Sequence, residues 1–158
     1  TLMNEIETKK KEHFMTTFNQ ANEYFQKIFG TLFKKGKAYL QLDNPNKPFD
    51  DGVSIKVKLT GKRFMDIKSL SGGEKTLTAL SFIFAIQEYS PASFYILDEI
   101  DAALDKHNSE MLSKLIRNYA GNAQYICISH NDALISEADT LFGVSMNEGV
   151  SKVTSLKI

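Results

Sequence analysis

The sequence predicts an α/β fold: a mostly parallel sheet flanked by helices, with a long N-terminal helix and antiparallel hairpins alongside. Three patterns predict it. The runs Phe94-Tyr95-Ile96-Leu97 and Tyr125-Ile126-Cys127-Ile128 are almost wholly apolar and are separated by a full helical stretch, as parallel strands joined by a right-handed crossover require. Phe14, Phe18, Ala21, Phe25, Ile28, Phe29 and Leu32 follow a three-four spacing that lays one aromatic stripe along a helix. Segments on both sides of the apolar runs alternate with period two, the mark of half-buried strands.

The elements follow in order. Residues 1–13 are dominated by charge, with Glu5 and Lys9, and Glu7 and Lys11, spaced for i,i+4 pairing. A solvated arm therefore becomes a docked helix at Phe14, and because the helical pattern is already running at Thr1, the chain is expected to be a piece of something longer. Gly30 and Gly36 punctuate the exit. Ala38, Leu40 and Leu42 then alternate against Tyr39 and Gln41 in a strand over 37–43, and Asp43-Asn44-Pro45-Asn46-Lys47-Pro48 reads as a turn. Val53, Ile55, Val57 and Leu59 give a second strand, paired with the first in a hairpin, and 60–70 reads as a loop. From Ser71 the texture changes to helix 74–89, strand 94–98, helix 106–119, strand 124–129 and helix 132–138. The tail 141–158 breaks at Asn147-Glu148-Gly149 and closes as a hairpin. The expectation is one domain, 1–158, in three stretches: 1–33, 37–70 and 71–158.

Composition sets limits on function. With 158 residues, 42% of them apolar, the chain can bury roughly 68–70% of its unfolded surface without a disulfide or structural metal. Nineteen basic residues balance nineteen acidic ones, so a grip on nucleic acid by counterion release is not expected beyond local runs such as Lys9-Lys10-Lys11 and Lys34-Lys35. The single Cys127 has no partner for a disulfide within the chain and sits in an apolar run, which reads as a small buried hydrophobe in a reducing, cytoplasmic compartment. No apolar stretch approaches the ~20 residues of a membrane span, and the first residues are polar and mixed in charge, unlike a signal peptide.

Ligands of open α/β sheets bind beyond the carboxyl ends of the strands. Asp98-Glu99 ends one apolar strand and Ser129-His130 the next, so both groups are expected at one edge. Neighbouring strand residues point to opposite sides, which gives the two acids different tasks: one to hold magnesium with water and phosphate oxygens, the other to reach an attacking water. His130 at the same edge is a candidate for contacting a γ-phosphate or that water. Asp105 is an N-cap for the following helix, and capping alone accounts for it. Ser71 and Glu74 form the S-x-x-E capping box, but Gly72 and Gly73 in the first helical turn each cost about 1 kcal/mol relative to alanine. Bare backbone N–H groups beside a serine hydroxyl suit a closely approaching anion such as phosphate. His13 and His107 lie on charged helical faces and are read as solvated. A phosphate-cradling G-x-x-x-x-G-K followed by Ser or Thr is absent: Gly36-Lys37 and Gly61-Lys62 both fail the pattern. An acid pair and histidine without a phosphate cradle make half an active site.

These residues carry a resemblance. Leu70-Ser71-Gly72-Gly73-Glu74-Lys75, then Tyr95-Ile96-Leu97-Asp98-Glu99-Ile100-Asp101-Ala102-Ala103-Leu104-Asp105, then Ile128-Ser129-His130 resemble the signature motif, Walker B, D-loop and switch histidine of an ABC-type ATPase, in that order. The D-E-x-D-A-A-L-D form narrows this to the C-terminal head segment of an SMC (structural maintenance of chromosomes) protein. The resemblance covers nearly the whole chain, from a returning coiled coil around 18–33 to a closing segment at 143–153. Leu59-Thr60-Gly61-Lys62 departs from the proline-rich stretch of many relatives.

The resemblance implies that Asp98 orients magnesium through water, Glu99 is the general base, and His130 senses the γ-phosphate. It implies that Ser71, Gly72 and Gly73 contact ATP held by an opposing head, with Asp105 bridging across the dimer. The Walker A half would come from the N-terminal head segment of the same protein, returned by a coiled coil, so the chain alone is expected to be inactive. The implied cofactors are ATP and Mg2+. The implied partners are that N-terminal segment, a second SMC head, the winged-helix domain of a kleisin, and DNA through the whole complex, with no membrane. The implied location is cytoplasmic and nucleoid-associated. A Rad50-type repair ATPase and a non-catalytic α/β interaction module are the alternatives.

Overall fold

The computed structural model describes residues 2–61 and 63–157, and these fall into two compact units, residues 1–92 and 93–158. Lys62, part of the Gly61-Lys62 pair weighed above, lies outside the described residues, as do Thr1 and Ile158.

In the first unit, α1 (Leu2–Leu32) is one uninterrupted helix of 31 residues, roughly 46 Å at 1.5 Å per residue. Its first twelve described residues are exposed, and the stripe sinks progressively, with Phe14 and Phe18 half-buried and Ala21, Phe25, Ile28, Phe29 and Leu32 buried. The arm's expected i,i+4 ion pairs are not formed. Lys10 instead lies 4.2 Å over the Phe49 ring, which also meets Phe14 edge-on at 5.2 Å. The helix stops where Gly36 turns back on it: a Cβ there would come within 2.8 Å of both the Phe29 ring and the Phe33 Cβ.

β1 (Lys37–Leu42) and β2 (Val53–Lys58) pair antiparallel, as expected, with Leu40 opposite Ile55. Asn22 on α1 fixes the sheet to the helix by accepting the Leu40 N–H at 2.8 Å. The stretch 60–70, expected as plain loop, contains a short third strand, β3 (Met65–Asp66), and a single 3-10 turn over 67–69. Two residues are too few for a periodic signal; an Asp66 cap on Lys68 N–H at 3.0 Å and a 3.3 Å bridge from Lys56 hold them. These partners, the Lys68 backbone first, keep the Asp66 carboxyl below its ordinary range. α2 (Gly72–Tyr89) packs on α1, bringing Phe82 to 6.0 Å from Phe25 and burying Leu77, Leu80, Phe84 and Ala85.

The second unit holds β4 (Phe94–Asp98), α3 (Lys106–Tyr119) and β5 (Gln124–Ile128), and the two strands are parallel as the apolar runs predict. A short helix, α4 (Asp132–Ile135), follows, then the hairpin β6 (Thr140–Asn147) and β7 (Val150–Lys157). Its two-residue turn has φ of 50° at Glu148 and 78° at Gly149, the doubly positive geometry that suits the twist of a tight hairpin.

Two expectations are corrected. The sheet is not mostly parallel: among the described residues only β4 and β5 run parallel, and the other five strands are antiparallel. Each parallel neighbour needs its own crossover, and the chain has one. Cys127 is exposed, not buried, because a two-stranded sheet leaves much of its surface uncovered. The same lack of cover leaves Phe94 at 56% and Ile96 at 61% exposure, with Ile126 and Ile128 beside them at 44% and 49%.

Candidate active site

The end of the parallel sheet brings an acid and a histidine together. Register places Asp98 opposite Ile128, so Glu99 and Ser129-His130 leave the sheet at the same level. The Glu99 N–H extends the ladder by donating to the Ile128 carbonyl at 2.9 Å. There the chain bends sharply: Glu99 has φ of 46°, a left-handed conformation uncommon outside glycine and concentrated at functional sites. Turn bonds from Ala102 N–H to the Glu99 carbonyl and from Leu104 N–H to the Asp101 carbonyl carry the chain round to Asp105.

His130 Nε2 lies 3.6 Å from Glu99 Oε1, and both side chains are open to solvent, 92% and 59% exposed. They face an open depression of about 230 Å³ lined also by Asp101, Ala102, Leu104 and Asn131. A carboxylate and an imidazole at one opening can take and return a proton from a water held there. Alternation and register put Asp98 on the sheet face that carries Phe94, Ile96, Ile126 and Ile128. Among the described residues no three acidic, histidine or cysteine side chains cluster as a metal cage. Exposed Asp98 beside Glu99 nevertheless fits magnesium, which takes one or two carboxylates and completes its shell with water and phosphate oxygens.

Ser71, Gly72 and Gly73 open α2 in the first unit. The capping box is formed in both directions: Glu74 N–H donates to Ser71 Oγ at 3.4 Å, and Ser71 N–H donates to Glu74 Oε2 at 3.0 Å. Ser71 uses its oxygen as acceptor, so its hydroxyl hydrogen stays available to an anion. A Cβ on Gly72 would meet nothing within 4 Å, and its φ is not positive. Neither packing within the described residues nor backbone geometry asks for glycine there. A wider depression of about 460 Å³ runs beside this helix, lined by Ile67, Lys68, Lys75, Thr76 and Ala79, with no carboxylate or histidine among them.

Asp105 is the α3 cap, accepting the Asn108 N–H at 2.8 Å on Oδ1 while remaining exposed. His13 and His107 are exposed on their helices, as expected. Sequence reasoning placed Ser129 at this edge without giving it a task, and missed Asp101 and Asn131 as residues lining the depression. The signal was present, since a second aspartate two residues beyond Glu99 in an otherwise apolar turn is a polar group that burial must satisfy.

A family model described as the RecF/RecN/SMC N terminal domain matches residues 4–152. The chain is 47% identical over 156 residues to the chromosome partition protein Smc of Pyrococcus furiosus; the match takes in 99% of this chain and 13% of that protein. It superposes with a TM-score of 0.90 and 47% identity on a crystal structure of the Smc head domain with an extended coiled coil bound to the C-terminal domain of ScpA, from Pyrococcus furiosus, spanning 99% of this chain and 39% of that one. A structure from work on ATP-driven dimerization and DNA-stimulated activation of SMC ATPases matches with a TM-score of 0.86 and 45% identity, spanning 93% of this chain and 89% of the other.

Proposed function

The chain belongs to the RecF/RecN/SMC N-terminal domain family, and on that premise we propose that it is the C-terminal half of the ATP-hydrolysing head of an SMC chromosome partition protein. The family description speaks of an N-terminal domain, whereas the motifs in this chain speak for the other half: signature, acid pair, D-loop and histidine are present, and the phosphate-cradling loop is not. The 3.6 Å approach of His130 to Glu99 at the sheet edge is the observation that carries the reading. The relatives matched are chromosome partition proteins, so a Rad50-type repair enzyme is set aside.

In this reading 1–158 serves as one domain of the head. Glu99 accepts the proton of the attacking water, His130 meets the γ-phosphate, and Ser71, Gly72 and Gly73 present donors to the nucleotide of an opposing head, with Asp105 at the same junction. Asp98 would hold magnesium through water; when bound, the ion supplies neutralisation of phosphate charge. The open apolar face of β4 and β5 is covered by the N-terminal head segment, which also brings the phosphate cradle. The hairpin of β6 and β7 leaves Phe142, Val144, Met146 and Val153 between 64% and 74% exposed on one face, a surface suited to a kleisin winged-helix domain such as that of ScpA. DNA is engaged by the whole complex, in the cytoplasm on the nucleoid.

Mixing this chain with the N-terminal segment of the same protein tests the proposal. The chain alone is expected to show no ATP turnover, and the mixture magnesium-dependent turnover; robust hydrolysis by the chain alone would contradict the assignment. A second expectation separates function from folding. Gly72→Ala is expected to leave stability unchanged or raise it by up to about 1 kcal/mol, because alanine is the better helix former and has room. It is nevertheless expected to weaken ATP-driven head association, measured by analytical ultracentrifugation. Undiminished association would remove the case for a phosphate at this helix tip.

A further inference from the structure

Glu99 and His130 owe little of their mutual placement to packing of their own side chains, which are mostly solvated. Their backbones must be held instead, and a polar network behind them does so. Asp101, two residues beyond Glu99, is only 6% exposed and accepts the Ser129 hydroxyl at 2.7 Å. Ser129 Oγ in turn accepts the Asn131 N–H at 2.9 Å. The Asn131 side chain donates to fully buried Ser109 on α3 at 2.9 Å and accepts the Ala133 N–H at 3.0 Å. His130 is thus bracketed by two residues whose side chains are tied down, and one of those ties runs to the turn that carries Glu99. Breaking a partly buried bond of this kind leaves a buried carboxyl group without its donor, so the two turns have reason to shift together.

We propose that Asp101 and Ser129 are the positioning pair of this site: their hydrogen bond sets the separation of the proton-accepting Glu99 from His130. The proposal rests on the ATPase reading above and adds a specific coupling to it. Without the hydroxyl, the acid turn and the histidine turn lose the partly buried hydrogen bond between them, and a misplacement of about 1 Å at reacting groups can cost of order 100-fold in rate.

The test uses the complete head, assembled from this chain and its N-terminal segment, in wild-type, Ser129→Ala and Ser129→Thr forms. Ser129→Ala is expected to lower kcat at least about tenfold, with KM for ATP and ATP-driven head association within about twofold of wild type. Ser129→Thr, which keeps the hydroxyl, is expected to recover most of the loss. In a Glu99→Gln background Ser129→Ala is expected to cost nothing further, because the group it positions is already disabled. A kcat within twofold of wild type for Ser129→Ala, a loss shared equally by nucleotide binding, or a full further loss on top of Glu99→Gln would overturn the proposal. A wild-type head with no turnover would count against the ATPase reading instead. In that event a crystal structure of the Ser129→Ala chain decides, and a Glu99–His130 separation unchanged from 3.6 Å overturns the positioning role.

Discussion

Glutamine in place of Glu99 is expected to reduce ATP turnover by the complete head by about 10²–10⁴-fold, the usual contribution of a positioned general base. ATP binding and ATP-driven association of two heads are expected to persist. The carboxamide matches the carboxylate in size and accepts the same backbone turn, so the left-handed φ of 46° and the ladder bond to Ile128 stay as they are. What it cannot do is take a proton from water. Asp98 will not substitute, because it belongs to the strand proper and lies on the sheet face with Ile96, while Glu99 stands beyond the strand against His130. The measurement is single-turnover hydrolysis beside a nucleotide-binding titration on the same protein. Turnover within a few-fold of wild type would mean that another group accepts the proton.

Phe25→Ala is expected to destabilise the chain by about 3–5 kcal/mol, the range for removing a fully buried aromatic ring. Phe25 is 0% exposed and lies where the α1 stripe meets α2, 6.0 Å from the Phe29 and Phe82 rings. The surrounding helices are long and cross-braced, with Asn22 tying α1 to β1 at 2.8 Å, so the cavity has little freedom to collapse. A comparison of urea midpoints and slopes between the wild-type and variant chains gives the number. A loss below about 1 kcal/mol would show that this ring is not a central contact of the first unit. The contrast with Phe14, half-buried on the same stripe near the exposed arm, is a built-in control: its truncation is expected to cost markedly less.

The core was legible because it is written in a period. The three-four spacing from Phe14 to Leu32 foretells both the helix and the face that docks. The apolar runs 94–97 and 125–128 foretell a parallel pair, and Asn147-Glu148-Gly149 a tight hairpin turn. The approach of Glu99 and His130 at one sheet edge was legible for a related reason. A parallel pair has its carboxyl ends on one side, so residues just beyond two such strands leave the sheet at the same edge.

The same runs also misled. Near-continuous apolar strands imply cover on both faces, and in this chain Ile96 and Ile126 are open. The pattern describes the environment a strand is built for, and the antiparallel majority among the strands follows from having one crossover, which no residue type records.

Sequence by itself determined the longer helices and strands, the residues at the sheet edge and the absence of a phosphate-cradling motif, because each is set by neighbours within one strand or one helical turn. Only the tertiary structure decided that Asp101, Ser129, Asn131 and Ser109 form one network, that Glu99 takes a strained turn, and that Cys127 and one sheet face stand open. Those facts depend on which distant segments meet, and a hydrogen bond between residues 28 positions apart, such as Asp101 to Ser129, leaves no periodic trace in the chain that makes it.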